Sequence, residues 1–144
     1  MNNILVLCVG NICRSPIAEV MFKQHFPDKK VWSAGLAALV GYPADDMAIK
    51  VAASNGLDLS THQSQQVFSW MCQSADIILV MESVQKSELE KKLPLVRGKV
   101  FGLGELGKFE IADPYRRPMS AFENAYAEIA RGVADWVPRI RKLA

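Results

Sequence analysis

One stretch of the sequence, residues 4–17, constrains the fold more than any other. An uncharged apolar run, Ile-Leu-Val-Leu at 4–7, leads into Cys-Val-Gly-Asn-Ile-Cys-Arg-Ser-Pro, and an apolar-periodic segment follows. A short run of this kind is typical of a buried parallel strand, and Gly10 and Asn11 are of the residue types that most readily adopt a positive φ. Ser15 followed by proline is typical of a helix N-cap and first helical position. The stretch therefore predicts a strand, a tight loop and a helix in immediate succession.

The predicted loop has the composition of an anion-binding site. A loop folded over a helix N-terminus directs backbone N–H groups inward, and the helix dipole adds positive charge, so the pocket suits a phosphate-like dianion. Cys8 is expected beneath that pocket, and Arg14 can place its planar guanidinium over two oxygens of the same anion. Such surroundings favour the thiolate, the nucleophilic form of cysteine. A lone cysteine at a strand end is more often a core residue, but the order of residue types here predicts a thiolate directed at bound phosphorus.

The composition is that of an ordinary globular domain. The chain has 144 residues, half of them hydrophobic, which fits one domain over residues 1–144. The net charge is +2 and the basic residues are scattered, which gives no basis for a nucleic-acid partner. Without a signal-type segment or a long apolar run, we expect a cytoplasmic protein with no membrane insertion. Three cysteines and two histidines argue for a reducing compartment and against a metal site, and we expect no cofactor.

Strand-like and helix-like segments alternate along the chain. Short apolar runs predict strands near residues 4–7, 31–33, 77–81 and 100–103. Helical periodicity predicts helices near residues 15–26, 44–55, 67–71, 83–93 and 118–137, with Ser83 as an N-cap and Pro138 bending or ending the last helix. This alternation predicts an α/β fold: a single-domain, four-stranded parallel sheet with helices on both faces. Ligands of such sheets bind beyond the carboxyl ends of the strands, which is where Cys8 is expected.

A long loop at 104–117 carries the candidate proton donor, Asp113. Long loops in compact domains are often functional. In this loop a proline follows the aspartate, and the ring of Tyr115 can form a wall against the substrate. Asp113 would protonate the oxygen that leaves phosphorus and then act as a base on water. Glu105 and Glu110 are the alternatives on the same loop, and an Asp-Pro pair is by itself most often a turn.

These motifs resemble one known family. Residues 8–16 are similar to the signature of the low-molecular-weight protein tyrosine phosphatases, and Ser-Ala-Gly at 33–35 and Asp-Pro-Tyr at 113–115 also match. Together the matches cover essentially the whole chain. The resemblance implies a protein-tyrosine phosphatase that works through a phosphocysteine intermediate. Its catalytic residues would be the nucleophile Cys8, the phosphate-binding Arg14, the acid and base Asp113, and Ser15 as a hydrogen-bond donor to the thiolate.

Further residues would bind the substrate. The backbone N–H groups that would hold the phosphoryl oxygens belong to Val9, Gly10, Asn11, Ile12, Cys13 and Arg14. The resemblance also implies that Leu39, together with Val40 and Tyr42, forms one wall of the cleft, the alternative being ordinary core packing. Cys13 has two interpretations: a protective disulfide with the nucleophile, as in the family, or a buried apolar filler.

The resemblance also extends to a branch and a partner. Residues 33–41 are more similar to the bacterial branch associated with capsule and exopolysaccharide export than to the animal branch, which implies an autophosphorylating bacterial tyrosine kinase as the partner. A thiol-dependent arsenate reductase of the same fold is one alternative, but it needs a downstream cysteine pair, and Cys72 precedes the third strand. A non-catalytic phosphotyrosine-binding module is another, and it would be favoured only if Cys8, Arg14 or Asp113 were missing.

Overall fold

Four parallel strands lie at the centre of the molecule, and the residues predicted to form strands are the ones that form them. The computed structural model describes residues 1–143. Its strands are β1 (Asn3–Cys8), β2 (Lys30–Gly35), β3 (Ile77–Val80) and β4 (Val100–Gly102). They form one sheet in the order β2-β1-β3-β4, and every neighbouring pair is parallel. The predicted α/β fold class is confirmed, with β1 in the interior of the sheet.

Helices cover both faces of this sheet. They are α1 (Arg14–His25), α2 (Asp46–Ser54), α3 (Ser69–Ser74), α4 (Ser83–Lys92) and α5 (Met119–Lys142). Alternate residues of β1 enter different cores, because successive strand side chains point to opposite faces. Ile4 and Val6 pack with residues of α1, α2 and α5, whereas Leu5 and Leu7 pack with residues of α3 and α4. Within residues 1–143, no helix combines the length and hydropathy needed to cross a membrane.

The start of α4 differs from the prediction. Ser83 is the first helical residue, and the N-cap is Glu82. The Glu82 side chain accepts a hydrogen bond from the backbone of the third helical residue, Gln85, whose side chain accepts one from the backbone of Glu82. This reciprocal capping box satisfies two N–H groups of the first turn, so the helix begins one residue earlier than a cap at Ser83 would place it.

The end of α5 also differs from the prediction. The helix continues through Pro138 to Lys142. A proline removes one backbone hydrogen bond from a helix interior, but the residues around it, Val137 and Ile140, are 5% and 0% exposed. Burial of these apolar side chains against the core stabilises the last turn, and the helix therefore continues past Pro138.

Candidate active site

Cys8 is the last residue of β1 and is 3% exposed. The loop of residues 9–13 follows at the carboxyl edge of the sheet, and α1 begins at Arg14. The loop crosses closely over Gly35 of β2, where an added Cβ would lie 2.5 Å from the carbonyl oxygen of Val9. The predicted succession of strand, loop and helix is therefore present, and a neighbouring glycine makes room for the loop.

The peptide groups of the loop leave their N–H sides available to a ligand. The carbonyl oxygens of Cys8, Val9 and Gly10 accept backbone hydrogen bonds of 2.9, 3.0 and 3.2 Å from the segment 36–39. The carbonyl oxygen of Ile12 accepts one of 2.8 Å from residue 45. Within residues 1–143, the N–H groups of residues 9–13 donate to no protein acceptor. Because N–H and C=O of a trans peptide point in opposite directions, these donors form a concave, anion-binding nest.

Asn11 fixes the shape of this nest. It is fully buried and has a φ of 60°, whereas Gly10 does not adopt a positive φ. Its side-chain amide donates to the hydroxyls of Ser15 and Ser33, each at 2.9 Å, and its side-chain carbonyl accepts from the N–H of residue 65 at 2.9 Å. Its backbone carbonyl accepts from His62 Nε2 at 2.6 Å and from a serine at position 64 at 3.0 Å. Every polar group of Asn11 but its N–H is thus used to hold the loop.

Ser15 lies inside the first turn of α1, so its predicted role as N-cap is wrong. The N-cap is Cys13, and no side chain caps the helix, which leaves the first N–H groups for a ligand. The Ser15 hydroxyl lies 2.9 Å from Cys8 Sγ. Because the Ser15 oxygen already accepts from the Asn11 amide, its own proton is free to be donated to the sulfur. A hydrogen bond of this kind stabilises a thiolate.

Arg14 is anchored on one side and open on the other. Its side chain is 2% exposed, and Nη1 donates to Glu82 Oε1 at 2.7 Å and to the carbonyl oxygen of Ile111 at 2.8 Å. Nη2 lies 3.7 Å from Asp113 Oδ2. The buried Nε has no partner among the described residues. Nε and Nη2 therefore remain for the two-point contact that a guanidinium makes with a tetrahedral oxyanion.

Asp113 lies at the entrance of the cavity above Cys8. The cavity has a volume of about 400 Å³, and its lining includes Cys8, the loop, Arg14, Asp113 and Tyr115. The Asp113 side chain is 45% exposed, and its Oδ1 accepts the N–H of Tyr115 at 3.1 Å. One carboxylate oxygen is thus held by the loop itself. The nucleophile and the candidate acid meet in one cavity, although 105 positions separate them in the sequence.

The alternative carboxylates on the same loop lie elsewhere. Glu105 pairs with Lys86 at 3.7 Å, and Glu110 accepts a hydrogen bond from the backbone N–H of Ser83. Both line a second cavity that does not include Cys8. This leaves Asp113 as the loop carboxylate that lines the Cys8 cavity.

The apolar walls of the cavity are only partly those expected. Leu39 and Tyr115 line it, and they are 36% and 39% exposed. Val40 and Tyr42 are exposed but do not line it, so their predicted part in the wall is wrong. Both residues lie in a turn over residues 39–42, which a 3.0 Å hydrogen bond from the N–H of Tyr42 to the carbonyl of Leu39 closes.

The remaining cysteines lie on different faces of the sheet. Cys13 is buried, lines the cavity and is a free thiol. Burial raises the pKa of the Cys13 thiol, and the negative charge of Asp45 raises it further. Cys72 is fully buried in the core on the opposite face from Cys8, where it cannot serve as the relay thiol of an arsenate reductase. Within residues 1–143, no cluster of three or more His, Cys, Asp or Glu side chains is arranged to hold a metal ion.

Sequence reasoning missed several residues of the site. Glu82, His62 and Ser33 hold Arg14 or Asn11, and Arg116 lines the cavity. Glu82 follows β3 at the same sheet edge as Cys8, and this position is a signal that could have found it. The contacts of His62 and Ser33 depend on folding that no local pattern shows.

An oxyanion held by the nest would lie in the cavity that Cys8 also lines. Attack by a thiolate there transfers a phosphoryl group to sulfur. The fold and the site thus define the class, an α/β phosphatase that works by covalent catalysis at cysteine.

Comparisons with known proteins agree with this class. A family model described as low molecular weight phosphotyrosine protein phosphatase matches residues 3–144. The chain is 50% identical over 143 residues to the probable low molecular weight protein-tyrosine-phosphatase EpsP of Ralstonia nicotianae, covering 99% of each chain. It is 45% identical over 136 residues to Wzb of Escherichia coli K12, covering 94% of this chain and 92% of Wzb. The solved structure of Vibrio vulnificus Wzb in complex with benzylphosphonate superposes with a TM-score of 0.91 at 45% identity, covering 96% of this chain and 98% of that one.

The chain therefore belongs to the low-molecular-weight protein-tyrosine phosphatase family. The predicted family and enzyme class are confirmed, and a phosphotyrosine phosphatase implies a phosphoprotein substrate.

Proposed function

We propose that Cys8 is the nucleophile, Arg14 the phosphate-binding cation and Asp113 the general acid and base of phosphotyrosine hydrolysis in this chain. The observation that carries the proposal is their meeting in one cavity, with the Ser15 hydroxyl 2.9 Å from the sulfur. Cys8, Arg14 and Asp113 are all needed for hydrolysis, because the reaction requires a nucleophile, stabilisation of the phosphoryl charge and a proton at the leaving oxygen.

The reaction runs in two displacements at phosphorus. In the first, the Cys8 sulfur forms a bond to phosphorus, the bond to the phenolic oxygen breaks, and Asp113 gives its proton to that oxygen. In the second, water attacks phosphorus, Asp113 accepts a water proton, and the sulfur–phosphorus bond breaks to release inorganic phosphate and the thiolate. Asp113 lies at the exposed entrance of the cavity, the side from which both the leaving group and the water must approach.

The nest and the walls divide the binding of substrate between them. The N–H groups of residues 9–13 and the Arg14 side chain hold the phosphoryl oxygens. These donors are already oriented before the reaction begins, so they stabilise the negative charge that develops on the oxygens. Leu39 and Tyr115 contact the aromatic ring. A phenolate, with a pKa of about 10 for its conjugate acid, leaves more readily than a serine alkoxide, so the site favours phosphotyrosine over phosphoserine.

The proposed physiological substrate is an autophosphorylating bacterial tyrosine kinase of polysaccharide export. Support comes from the similarity of residues 33–41 to the exopolysaccharide-associated branch, and from bacterial relatives that align over nearly the whole chain. The three free thiols support a reducing, cytoplasmic location for this reaction.

The test is phosphate release from two peptides that differ only in carrying phosphotyrosine or phosphoserine, without added metal. We expect release from phosphotyrosine alone, almost none after Cys8→Ser, and a loss of about 10²- to 10⁴-fold after Asp113→Ala. Asp28→Ala is the matched control, because Asp28 is an exposed aspartate in the turn before β2, at the opposite edge of the sheet. No release from either peptide, or full activity of the Asp113 variant, would contradict the proposal.

A further inference from the structure

Arg116 is a cation of the Cys8 cavity that the chemistry above does not use. It lines the cavity and is exposed. Its guanidinium carbon lies 5.2 Å from the centre of the Tyr115 ring, a distance typical of a cation–π contact. The cation is therefore held beside the ring that is proposed to contact the substrate's aromatic group.

The charges of the cavity distinguish Arg116 from Arg14. Arg14 faces two carboxylates, Glu82 at 2.7 Å and Asp113 at 3.7 Å. Among the described residues, Arg116 forms no ion pair. Arg116 is thus the uncompensated positive charge of the cavity lining, and it lies near solvent, where the polypeptide on either side of a phosphotyrosine must pass.

The backbone at Arg116 adds a second observation. Its φ is 61°, in a region that side-chain-bearing residues other than Asn and Asp seldom adopt. The turn around it is closed by a 2.9 Å hydrogen bond from the N–H of Arg117 to the carbonyl of Pro114, and Pro114 is buried. An unfavourable conformation held by its surroundings is a reason to look for function, and here it fixes the direction in which the arginine leaves the loop.

We propose that Arg116 binds an anionic side chain next to the phosphotyrosine, so that preferred substrates carry a carboxylate or a second phosphotyrosine beside the target residue. This inference rests on the proposed function, since it concerns the same cavity. The two anions share the chemistry that a guanidinium recognises, namely paired oxygens with negative charge. A partly exposed charge pair of this type changes kcat/KM by about two- to fivefold at low ionic strength.

The experiment compares three phosphotyrosine peptides that differ at the adjacent positions. One carries glutamine there, one glutamate, and one a non-hydrolysable phosphonate analogue of phosphotyrosine. We expect the wild-type chain to prefer one or both anionic peptides, and the preference to disappear in Arg116→Ala, to persist in large part in Arg116→Lys, and to fade at high salt. Which anionic peptide is preferred identifies the source of the anion. Arg117→Ala is the matched control, because Arg117 is an exposed neighbour that does not line the cavity.

The outcomes separate this inference from the proposed function. Turnover of all three peptides at equal kcat/KM by the wild-type chain would overturn the inference and leave the phosphatase mechanism standing. An equal loss on all three peptides in Arg116→Ala would also overturn it, because the arginine would then act on the phosphotyrosyl group itself. Absence of turnover of every peptide by the wild-type chain would instead be a failure of the proposed function.

Discussion

At the scale of single residues, the contact between Cys8 and Ser15 involves a third side chain, that of Asn11. The Asn11 amide donates to the Ser15 oxygen, which leaves the serine proton available to the sulfur 2.9 Å away. Asn11 can do so because its φ of 60° places the amide inside the loop. Asparagine adopts this conformation more readily than most residues that have a side chain, so one residue both turns the loop and contacts the donor.

Replacing Ser15 by alanine tests this donor. The thiolate loses a hydrogen bond from a neutral hydroxyl, and such bonds to charged groups contribute about 1.5–3 kcal/mol. We expect kcat/KM with an aryl phosphate to fall about 10- to 100-fold in Ser15→Ala. Ser87→Ala, at an exposed position of α4, is the control and should keep full activity. Equal rates for the two variants, with urea unfolding showing both folded, would show that the hydroxyl does not assist the sulfur.

At the scale of elements, the start of α4 organises two parts of the site. Glu82, its N-cap, holds Arg14, and Glu110 ties the Asp113 loop to the first helical residue, Ser83. The hydrogen bond with that N–H lowers the pKa of Glu110. Between these contacts, the carbonyl of Ile111 also accepts from Arg14. Arg14 and the loop of the proposed general acid are therefore both held at the same helix end.

Glu110 is consequently predicted to be a positioning residue for Asp113. Glu110→Ala should lower kcat by about 10- to 100-fold for aryl phosphates with poor leaving groups, because small displacements of a catalytic group cost rates of this order. Nitrophenyl phosphate, whose leaving group needs no proton, should be much less affected. Glu110→Gln keeps an oxygen that can accept from Ser83 and should restore most of the rate. A uniform loss across the leaving-group series, or glutamine behaving like alanine, would contradict this role.

At the scale of the whole molecule, the two edges of the sheet serve different purposes. The carboxyl edge carries the site, while at the amino edge Asp76 accepts hydrogen bonds of 2.8 and 3.0 Å from the N–H groups of Asn2 and Asn3. These bonds lower the pKa of Asp76. Asp76 immediately precedes β3 and so joins the start of β1 to its neighbour in the sheet.

This contact predicts a pH-dependent contribution to stability. A carboxyl whose pKa is lowered on folding stabilises the fold above its ordinary pKa of about 3.9, and the contribution is lost as pH falls through the lowered value. Asp76→Asn should therefore show a lower urea midpoint than the wild-type chain at pH 7, and the gap should close on acidification below pH 4. Asp28→Asn, an exposed carboxylate, is the control. A gap that stays constant with pH would show that charge on Asp76 is not responsible.

The fold was predictable from the sequence to the extent that its signals are local. Apolar runs indicate the strands, the glycine and asparagine indicate the loop, and apolar residues at helical spacing indicate α5. Each of these signals depends on residues close together in sequence, and each indicates the right element. The end of α5 was not predictable, because burial of Ile140 against distant side chains outweighs the cost of Pro138. The cap of α4 is a local contact between Glu82 and Gln85, but serine is a commoner N-cap than glutamate, so the sequence favoured Ser83.

The site was predictable where the order of residue types implies chemistry, and not where it depends on distant contacts. Cys8, Arg14 and Asp113 belong to motifs, and the structure brings them into one cavity. Glu82 lies 68 positions from the arginine it holds, and its place after β3 indicates the sheet edge but not the contact. Ser15 is a neighbour of the sulfur, as predicted, but it is not the cap, because it lies inside the first turn of α1.

Detection of a phosphoryl group on Cys8 by mass spectrometry would test the two-displacement mechanism at its intermediate. The Asp113→Ala variant would be mixed with a nitrophenyl phosphate, whose first displacement needs no acid, then quenched in acid within its first turnover and digested for mass spectrometry. Loss of the base slows the second displacement, so we expect one phosphoryl group on the peptide containing Cys8, assigned to that residue and absent in Cys8→Ser. Release of phosphate without a phosphoryl group on Cys8, or with one on Cys13 or Cys72, would contradict it.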